Sequence, residues 1–260
     1  MSDEASHEIS FIHQRGDPLE NTFGRVNSLV GNFLIGTPEA SFQSPSRGLS
    51  DELKEKLKNT HTKGQVEAYM GHSPFFREMK RLFSNDRRTN KFVRMGLGIP
   101  STVVGSLLRG KLARADHYNP YTESVHVYHP NKAVALHEIG HALDFDKAKH
   151  PGLKAVARIL PPFTLKQEWQ ASRNAMKYLN TEDQRKAANI LEPAFGTYVG
   201  TFAGGLLGKL TSLPVAGIAY LGSVALGHLH ATTSEKNIFY NNEPISVFGH
   251  KPNRAVVAKA

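Results

Sequence analysis

The most recognisable chemistry in the sequence belongs to His137, Glu138 and His141, which form a His-Glu-x-x-His pattern. On an α-helix, His137 and His141 lie one turn apart on the same face, so their two imidazoles can hold one Zn²⁺. Glu138 points about 100° away from that pair. It can therefore take a proton from a water beside the metal without ligating the metal itself. The pattern predicts zinc-assisted attack of water on a carbonyl group.

The residues around this pattern favour a buried helix. Asn131 is a suitable N-cap for a helix that starts just after it, and Pro151-Gly152 follow beyond the predicted end. The alternative is an ordinary helix that carries two surface histidines. Small or apolar side chains within and after the pattern favour the buried helix: Ile139, Gly140, Ala142 and Leu143.

A catalytic zinc takes three protein ligands and keeps one open position. The chain has no cysteine, so the third ligand must be a histidine or a carboxylate. Thr164-x-x-Gln167 is a capping box that predicts a helix over 165–179, with Glu168 in its first turn. Glu168 is the leading candidate, although a first-turn Glu can also simply offset the helix dipole. Other candidates are Asp144, Glu182 and Glu192, and also His126, which is more naturally a surface residue of a strand.

The two motifs together resemble the gluzincin metallopeptidases, in particular the membrane-associated ones that include the CAAX-processing protease. The resemblance covers about residues 115–180 and rests on His137-Glu-x-x-His141 and on Glu168-x-x-Ala-Ser172-Arg-x-Ala. It implies a zinc peptidase with His137, His141 and Glu168 as ligands and Glu138 as the base. Ser172 stands where that family has an Asp that orients a ligating histidine, so we expect this support to come from elsewhere.

The helices and the strand that the sequence indicates around these residues predict an α+β fold. We expect this fold to be mostly helical and zincin-like, with a small sheet. Residues 124–128 alternate like a strand with one exposed face, after a turn at 117–121. We expect this strand to be the edge of the sheet beside the cleft, where an extended peptide could pair with it. The expected organisation is a flexible segment at 1–50, a zincin-like domain at 51–195, a hairpin at 196–230 and a polar tail at 231–260.

Small residues recur every fourth position in the apolar C-terminal region and predict a helical hairpin that turns at 211–214. Each run is shorter than the ~20 residues needed to span a bilayer. A hairpin buried in the protein is therefore favoured over a membrane-inserted one. Four side chains could stabilise the oxyanion of a peptidase, and nothing local distinguishes them: Tyr198, His228, His230 and Tyr240.

The net charge of +9 is concentrated at 51–115, which holds 14 Lys/Arg against 6 Asp/Glu. Such a region predicts either a solvated helical face or an anionic partner, of which a membrane surface is favoured over nucleic acid. The first 30 residues are acidic and have no apolar run, which is unlike a secretory signal peptide. This predicts an intracellular or membrane-associated protein.

The favoured function is a zinc-dependent metalloendopeptidase that acts on peptides or proteins. The alternative is a membrane-binding or membrane-permeabilising protein that uses the glycine-spaced hairpin and holds a structural zinc. These two functions make different demands on the same chain. A peptidase needs the cluster at 137–168 beside a cleft, whereas a membrane protein needs an exposed apolar surface on the hairpin.

Overall fold

The computed structural model describes residues 6–13, 45–112, 114–210 and 213–233. In these ranges the chain is mostly helical with one small mixed sheet, which confirms the predicted α+β class. The polar tail expected at 231–260 lies outside the described residues after Thr233. Most of the segment expected to be flexible, 1–50, also lies outside them.

The four strands are β1 (Ser10–His13), β2 (Glu67–Met70), β3 (His117–Asn119) and β4 (Ser124–Val127). Their spatial order is β1-β2-β4-β3, with β1, β2 and β4 parallel and β3 antiparallel to β4. β4 is therefore an interior strand, and all four of its residues are buried. The prediction that strand 124–128 forms the edge is wrong. Within the described residues β3 holds that edge, where the sequence had predicted a turn.

The pairing partners of β4 explain why the edge was misplaced. β2 pairs with β4 in register, with Glu67 opposite Ser124 and Met70 opposite Val127, although the strands are far apart in the sequence. β1 then extends the sheet from within the segment at 1–50 that was expected to be flexible. Parallel strands require such long connections, and local alternation of side chains does not reveal them.

Eight helical segments accompany the sheet in the described part of the chain. The segment α3 (91–112) alternates α-helical and π-helical turns, and the other seven segments are α-helices. The seven are α1 (Arg47–Leu57), α2 (Phe75–Phe83), α4 (Lys132–Asp146), α5 (Pro151–Ala157), α6 (Pro161–Met176), α7 (Thr181–Leu210) and α8 (Leu213–Thr233).

The start of α6 differs from the predicted one. The helix begins at Pro161 rather than near 165, with prolines in its first turn, where the missing N–H groups would have no partner in any case. Thr164 does not cap the helix, and its hydroxyl donates to the carbonyl of Arg158 at 2.6 Å. Glu168 consequently lies in the second turn, so a role in offsetting the dipole of the first turn no longer explains it.

The two faces of β4 pack against different helices because successive side chains of a strand point in opposite directions. Val125 and Val127 lie in the apolar core together with Leu136 and Ile139 of α4. Ser124 and His126 face the other way and bind Glu78 of α2. The sheet thus separates α4 from α2, and the predicted surface position of His126 is wrong because its side chain is fully buried.

Helices α7 and α8 form the predicted hairpin with backbone contacts at its small residues. A Cβ atom at Gly196 would lie 2.5 Å from the carbonyl oxygen of Ser223, and one at Gly227 would lie 2.7 Å from that of Glu192. α7 is one helix through Pro193, so it crosses the boundary expected at 195. Among the described residues, no helix combines the length and the apolar character needed to cross a membrane.

The basic region at 51–115 uses several arginines inside the protein. Arg81 donates to the carbonyl of Thr122 at 2.8 Å, and Arg88 donates to that of Asp146 at 2.6 Å. Arg87 pairs with Glu123 at 3.4 Å. Arg81 thus ties α2 to the turn between β3 and β4, and Arg88 is bound at the C-terminal end of α4. The charges of these arginines are used inside the protein rather than on a solvated face.

Candidate metal centre

Helix α4 presents His137 and His141 on one face, as the spacing predicts. Asn131 caps the helix, and its side-chain oxygen accepts hydrogen bonds from the N–H groups of Ala133 at 2.9 Å and Val134 at 3.2 Å. The N-cap prediction is therefore confirmed. The two imidazole centroids lie 4.8 Å apart, with ring planes nearly perpendicular at 84°.

Helix α6 reaches the two histidines because Gly140, which has no side chain, lets the backbone of α6 touch α4. A Cβ atom at position 140 would lie only 2.3 Å from the carbonyl oxygen of Ala171, so any larger residue would force the helices apart. The amide of Asn174 donates to the carbonyl of Gly140 at 3.1 Å and fixes the same contact. Gly140, one of the two residues that the motif leaves free between Glu138 and His141, thus determines how closely Glu168 can approach.

Glu168 completes the cluster. Its Oε2 lies 3.1 Å from Nε2 of His137 and 3.1 Å from Nε2 of His141. One potential ligand atom from each residue lies within 4.8 Å of the other two. The three candidate ligands are therefore together in the fold, with His141 and Glu168 buried and His137 half-buried.

Ser172 supports His137, contrary to the expectation that this support would come from elsewhere. Its hydroxyl lies 3.0 Å from Nδ1 of His137, one turn after Glu168 on the same helix. A proton on Nδ1 can be donated to Ser172, and this tautomer leaves Nε2 as a ligand atom. The Ser172 hydroxyl can thus accept the hydrogen bond from the histidine, the interaction for which the gluzincins that the motifs resemble use an aspartate.

The charges of the cluster favour the ionised carboxylate. Burial alone would raise the pKa of Glu168, but the two histidines beside it hold that pKa well below its usual range. Burial lowers the pKa of His141 to about 4, which keeps this imidazole neutral at physiological pH. A neutral imidazole and an ionised carboxylate are the forms that bind metal ions.

Glu138 differs from Glu168 in having an oxygen without a partner. The residue is 8% exposed, and its Oε2 has no hydrogen bond with any described residue. Burial raises the pKa of Glu138 to about 7, and the negative charge of Glu168 contributes in the same direction. A carboxyl group with that pKa can both take up and release a proton near neutral pH.

The donor set and this orphaned oxygen fit zinc. Two imidazoles and one carboxylate are the three protein ligands of one class of catalytic zinc sites, and the chain offers no thiolate as a competitor. Three protein ligands would leave the fourth position of a tetrahedral zinc open for a water, whose proton the unpaired oxygen of Glu138 could accept. The residues His137, His141 and Glu168 could therefore hold a zinc ion, with Glu138 beside it.

A cleft of about 440 Å³ opens at Glu168. Tyr198 of α7 lines it, so the hairpin helix contributes to the site although the sequence suggested a separate unit. The negative charge of Glu168 and burial both raise the pKa of the Tyr198 hydroxyl, which therefore stays protonated and able to donate. An apolar groove of about 380 Å³ shares Thr164 and Tyr198 with the cleft.

The remaining candidates lie elsewhere. Asp144 pairs with Lys154 at 2.7 Å, Glu182 pairs with Lys186 at 2.7 Å, and Glu192 binds His230 at 2.7 Å. None of these carboxylates belongs to the metal-type cluster of the described residues. Tyr240 lies outside the described residues.

Sequence reasoning missed Arg158, whose guanidinium lies 3.5 Å from Oε1 of Glu168. It also missed Asp116 and Arg109, which line the same cleft. None of the three belongs to a recognisable motif, and only the folded chain brings them to the cluster.

Comparisons with models of known protein families, with curated proteins and with solved structures gave no match for this chain.

Proposed function

We propose that the chain is a zinc-dependent metalloendopeptidase of the gluzincin type with a zincin-like fold. The observation that carries this proposal is the convergence of His137, His141 and Glu168 beside the unpaired carboxylate oxygen of Glu138. Glu168 and His141 have the ionisation states that metal binding requires, and Glu138 has a pKa that suits a base. The adjoining cleft and groove supply space for an extended chain.

A zinc ion bound by the three ligands would supply Lewis-acid chemistry, which activates water and polarises the scissile carbonyl. Glu138 takes the proton of the attacking water, because its pKa of about 7 allows it to be ionised before the reaction. The same carboxyl group then delivers that proton to the leaving amine. The Tyr198 hydroxyl lines the cleft beside Glu168 and is the proposed donor to the developing oxyanion.

Strand β3 is the proposed platform for the substrate. The cleft is lined by Ala115, Asp116, Tyr118 and Pro120, which belong to β3 or flank it. An extended peptide that pairs with this edge would lie along the cleft beside Glu168. The role first given to strand 124–128 thus passes to β3.

The metal content of purified protein tests the proposal directly. We expect about one zinc per chain in the wild type by elemental analysis, and loss of that zinc in His137→Ala and in Glu168→Ala. Glu182→Ala, which removes an exposed carboxylate of α7, should retain the zinc. A wild type that binds no zinc after reconstitution would contradict the proposal.

A membrane-binding function is the second candidate, and one observation favours it. The outer face of α8 exposes Ile218, Leu221, Leu226 and Leu229, and this helix has no Asp, Glu, Lys or Arg. An exposed apolar surface of this kind is typical of proteins that bind a partner or a lipid surface. Co-sedimentation with anionic liposomes tests it, since Leu221→Glu should abolish pelleting if α8 binds lipid.

A further inference from the structure

Two arginines from different elements line the cleft beside the candidate metal ligands. Arg109 belongs to α3, and Arg158 directly follows α5. Both border the cavity that is also lined by Glu168 and Tyr198. The positive charges of both arginines reach the Tyr198 hydroxyl and favour its ionised form. The cleft thus contains two cationic groups in the same cavity as the candidate metal ligand Glu168.

The negative charges of the cleft are already engaged within the protein. Glu168 is bound by the two histidines of the cluster. Asp116 accepts hydrogen bonds from the N–H groups of Tyr128 at 2.6 Å and His129 at 3.2 Å, and it pairs with the His129 side chain. Neither carboxylate is therefore available to neutralise an additional cation.

The side chain of Arg109 is exposed, and its guanidinium has no hydrogen bond or ion pair with any residue that the structure describes. The contact of Arg158 with Glu168 is long at 3.5 Å. Arg81 and Arg88, by contrast, bind carbonyls and carboxylates within the protein. An unpaired guanidinium at the wall of a cleft is suited to bidentate binding of a carboxylate.

We propose that Arg109, assisted by Arg158, binds a carboxylate group of the substrate and so selects anionic peptides. The inference rests on the proposed peptidase function, because the cleft is a substrate site only if the cluster holds the metal. The carboxylate has two sources, the free C-terminus of a peptide or the side chain of an Asp or Glu near the scissile bond.

The first test uses hydroxamates, which bind zinc directly, on the full-length zinc-loaded protein. A series with chains of increasing length ends either in a carboxylate or in the matching primary amide. For at least one length, we expect the carboxylate to bind about tenfold or more tightly than the amide. Arg109→Gln should abolish this preference. Lys80→Gln, which removes an exposed charge of α2 outside the cleft, should keep it.

The outcomes separate this inference from the proposed function. Equal binding of carboxylate and amide, or a preference that survives in Arg109→Gln, would overturn the anion selectivity and leave the metal site intact. Failure of every hydroxamate to bind the zinc-loaded protein would show that the bound zinc has no open position, which would overturn the proposed peptidase function, and the inference would fall with it.

A second test distinguishes the two sources of the carboxylate. The wild type digests a mixed library of peptides, and mass spectrometry locates each cleavage. Cleavages at a fixed distance from free C-termini, lost when these are amidated, would identify the terminal carboxylate. Cleavages beside internal Asp or Glu would identify the side chain. Cleavage without either bias would overturn the inference.

Discussion

Glu78 and Glu138 are both buried carboxylates near histidines, but their pKa values shift in opposite directions. Burial alone would raise the pKa of Glu78, yet the neighbouring His126 and two hydroxyl donors lower it to about 2. The oxygens of Glu78 accept hydrogen bonds from Thr122 at 2.8 Å and Asn119 at 3.3 Å, and they pair with His126 at 3.2 Å. Glu138 keeps one oxygen unpaired, and burial raises its pKa to about 7.

The comparison shows that residue type and burial do not by themselves make a catalytic group. A carboxylate surrounded by donors is stabilised as an anion, holds α2 to the sheet and has no capacity for proton exchange near neutral pH. A carboxylate with an unpaired oxygen is destabilised as an anion and can exchange a proton with a reactant. The number of hydrogen-bond donors that the fold places around each carboxylate decides between the two.

The largest expected effect comes from removing the carboxylate of Glu138, and it is an effect on activity. Glu138→Gln removes the proton acceptor while it preserves shape, so we expect peptide hydrolysis to fall by about 10²–10⁴-fold with unchanged zinc content. Turnover of a cleaved library peptide and elemental analysis of the same sample measure the two quantities. A variant that still cleaves at the wild-type rate would show that another group is the base.

Removing the carboxylate of Glu78, the other member of the comparison, should lower the stability of the folded protein. Glu78→Ala leaves His126 and several donors buried without their acceptor, so we expect the free energy of unfolding to fall by about 3–5 kcal/mol. Because the folded-state pKa of Glu78 lies below its usual value of 4.5, its contribution is present above about pH 4.5 and is lost as the pH falls towards 2. Urea unfolding at pH 7 and pH 3 measures both, and the difference between wild type and variant should shrink at pH 3.

Glu138 should show the opposite dependence in the metal-free protein. Its folded-state pKa is raised from 4.5 to about 7, so the stability associated with it is complete below pH 4.5 and is lost as the pH rises towards 7. Glu138→Gln should therefore stabilise the metal-free protein at pH 8, by up to about 3 kcal/mol. Thermal unfolding after chelation tests this. A variant that is less stable than the wild type at pH 8 would contradict the interpretation that burial disfavours the ionised form of Glu138.

A smaller effect is expected where the two helices of the candidate metal centre touch. Gly140→Ala places a Cβ atom 2.3 Å from the carbonyl oxygen of Ala171, so we expect a loss of about 1–3 kcal/mol in stability and weaker zinc binding. Gly222→Ala is the matched control, since nothing lies within 4 Å of a Cβ atom there. Equal zinc affinity in both variants would show that the contact at Gly140 does not position Glu168.

The smallest expected effect concerns the hydrogen bond to His137. Ser172→Ala removes the partner of Nδ1, and we expect zinc affinity to fall by about 10–100-fold with little change in stability. Ser172→Asp should retain the affinity because a carboxylate can accept the same hydrogen bond. Competition with a chromogenic chelator measures the zinc affinity. An unchanged affinity in Ser172→Ala would show that the hydrogen bond to His137 does not support zinc binding.

Local spacing predicted the parts of the site that depend on one helix. His137 and His141 share a face because four residues make about one helical turn, and Asn131 caps that helix as predicted. Glu168 was identified because the chain has no cysteine and a carboxylate was needed on a second helix. The edge strand was misplaced, and β1 was missed, since both depend on pairing between distant segments.

The sequence by itself determined which residues could bind a metal, because ligand type and helical spacing are local properties. Only the tertiary structure decided which carboxylate becomes a potential base and which a structural anion, since that depends on donors from distant segments such as Thr122 and Asn119 around Glu78. It likewise placed Ser172 against His137 and left Arg109 unpaired, within the described residues, in the cleft. Electrostatic environments arise from contacts across the fold, and such contacts leave no periodic signal in the chain.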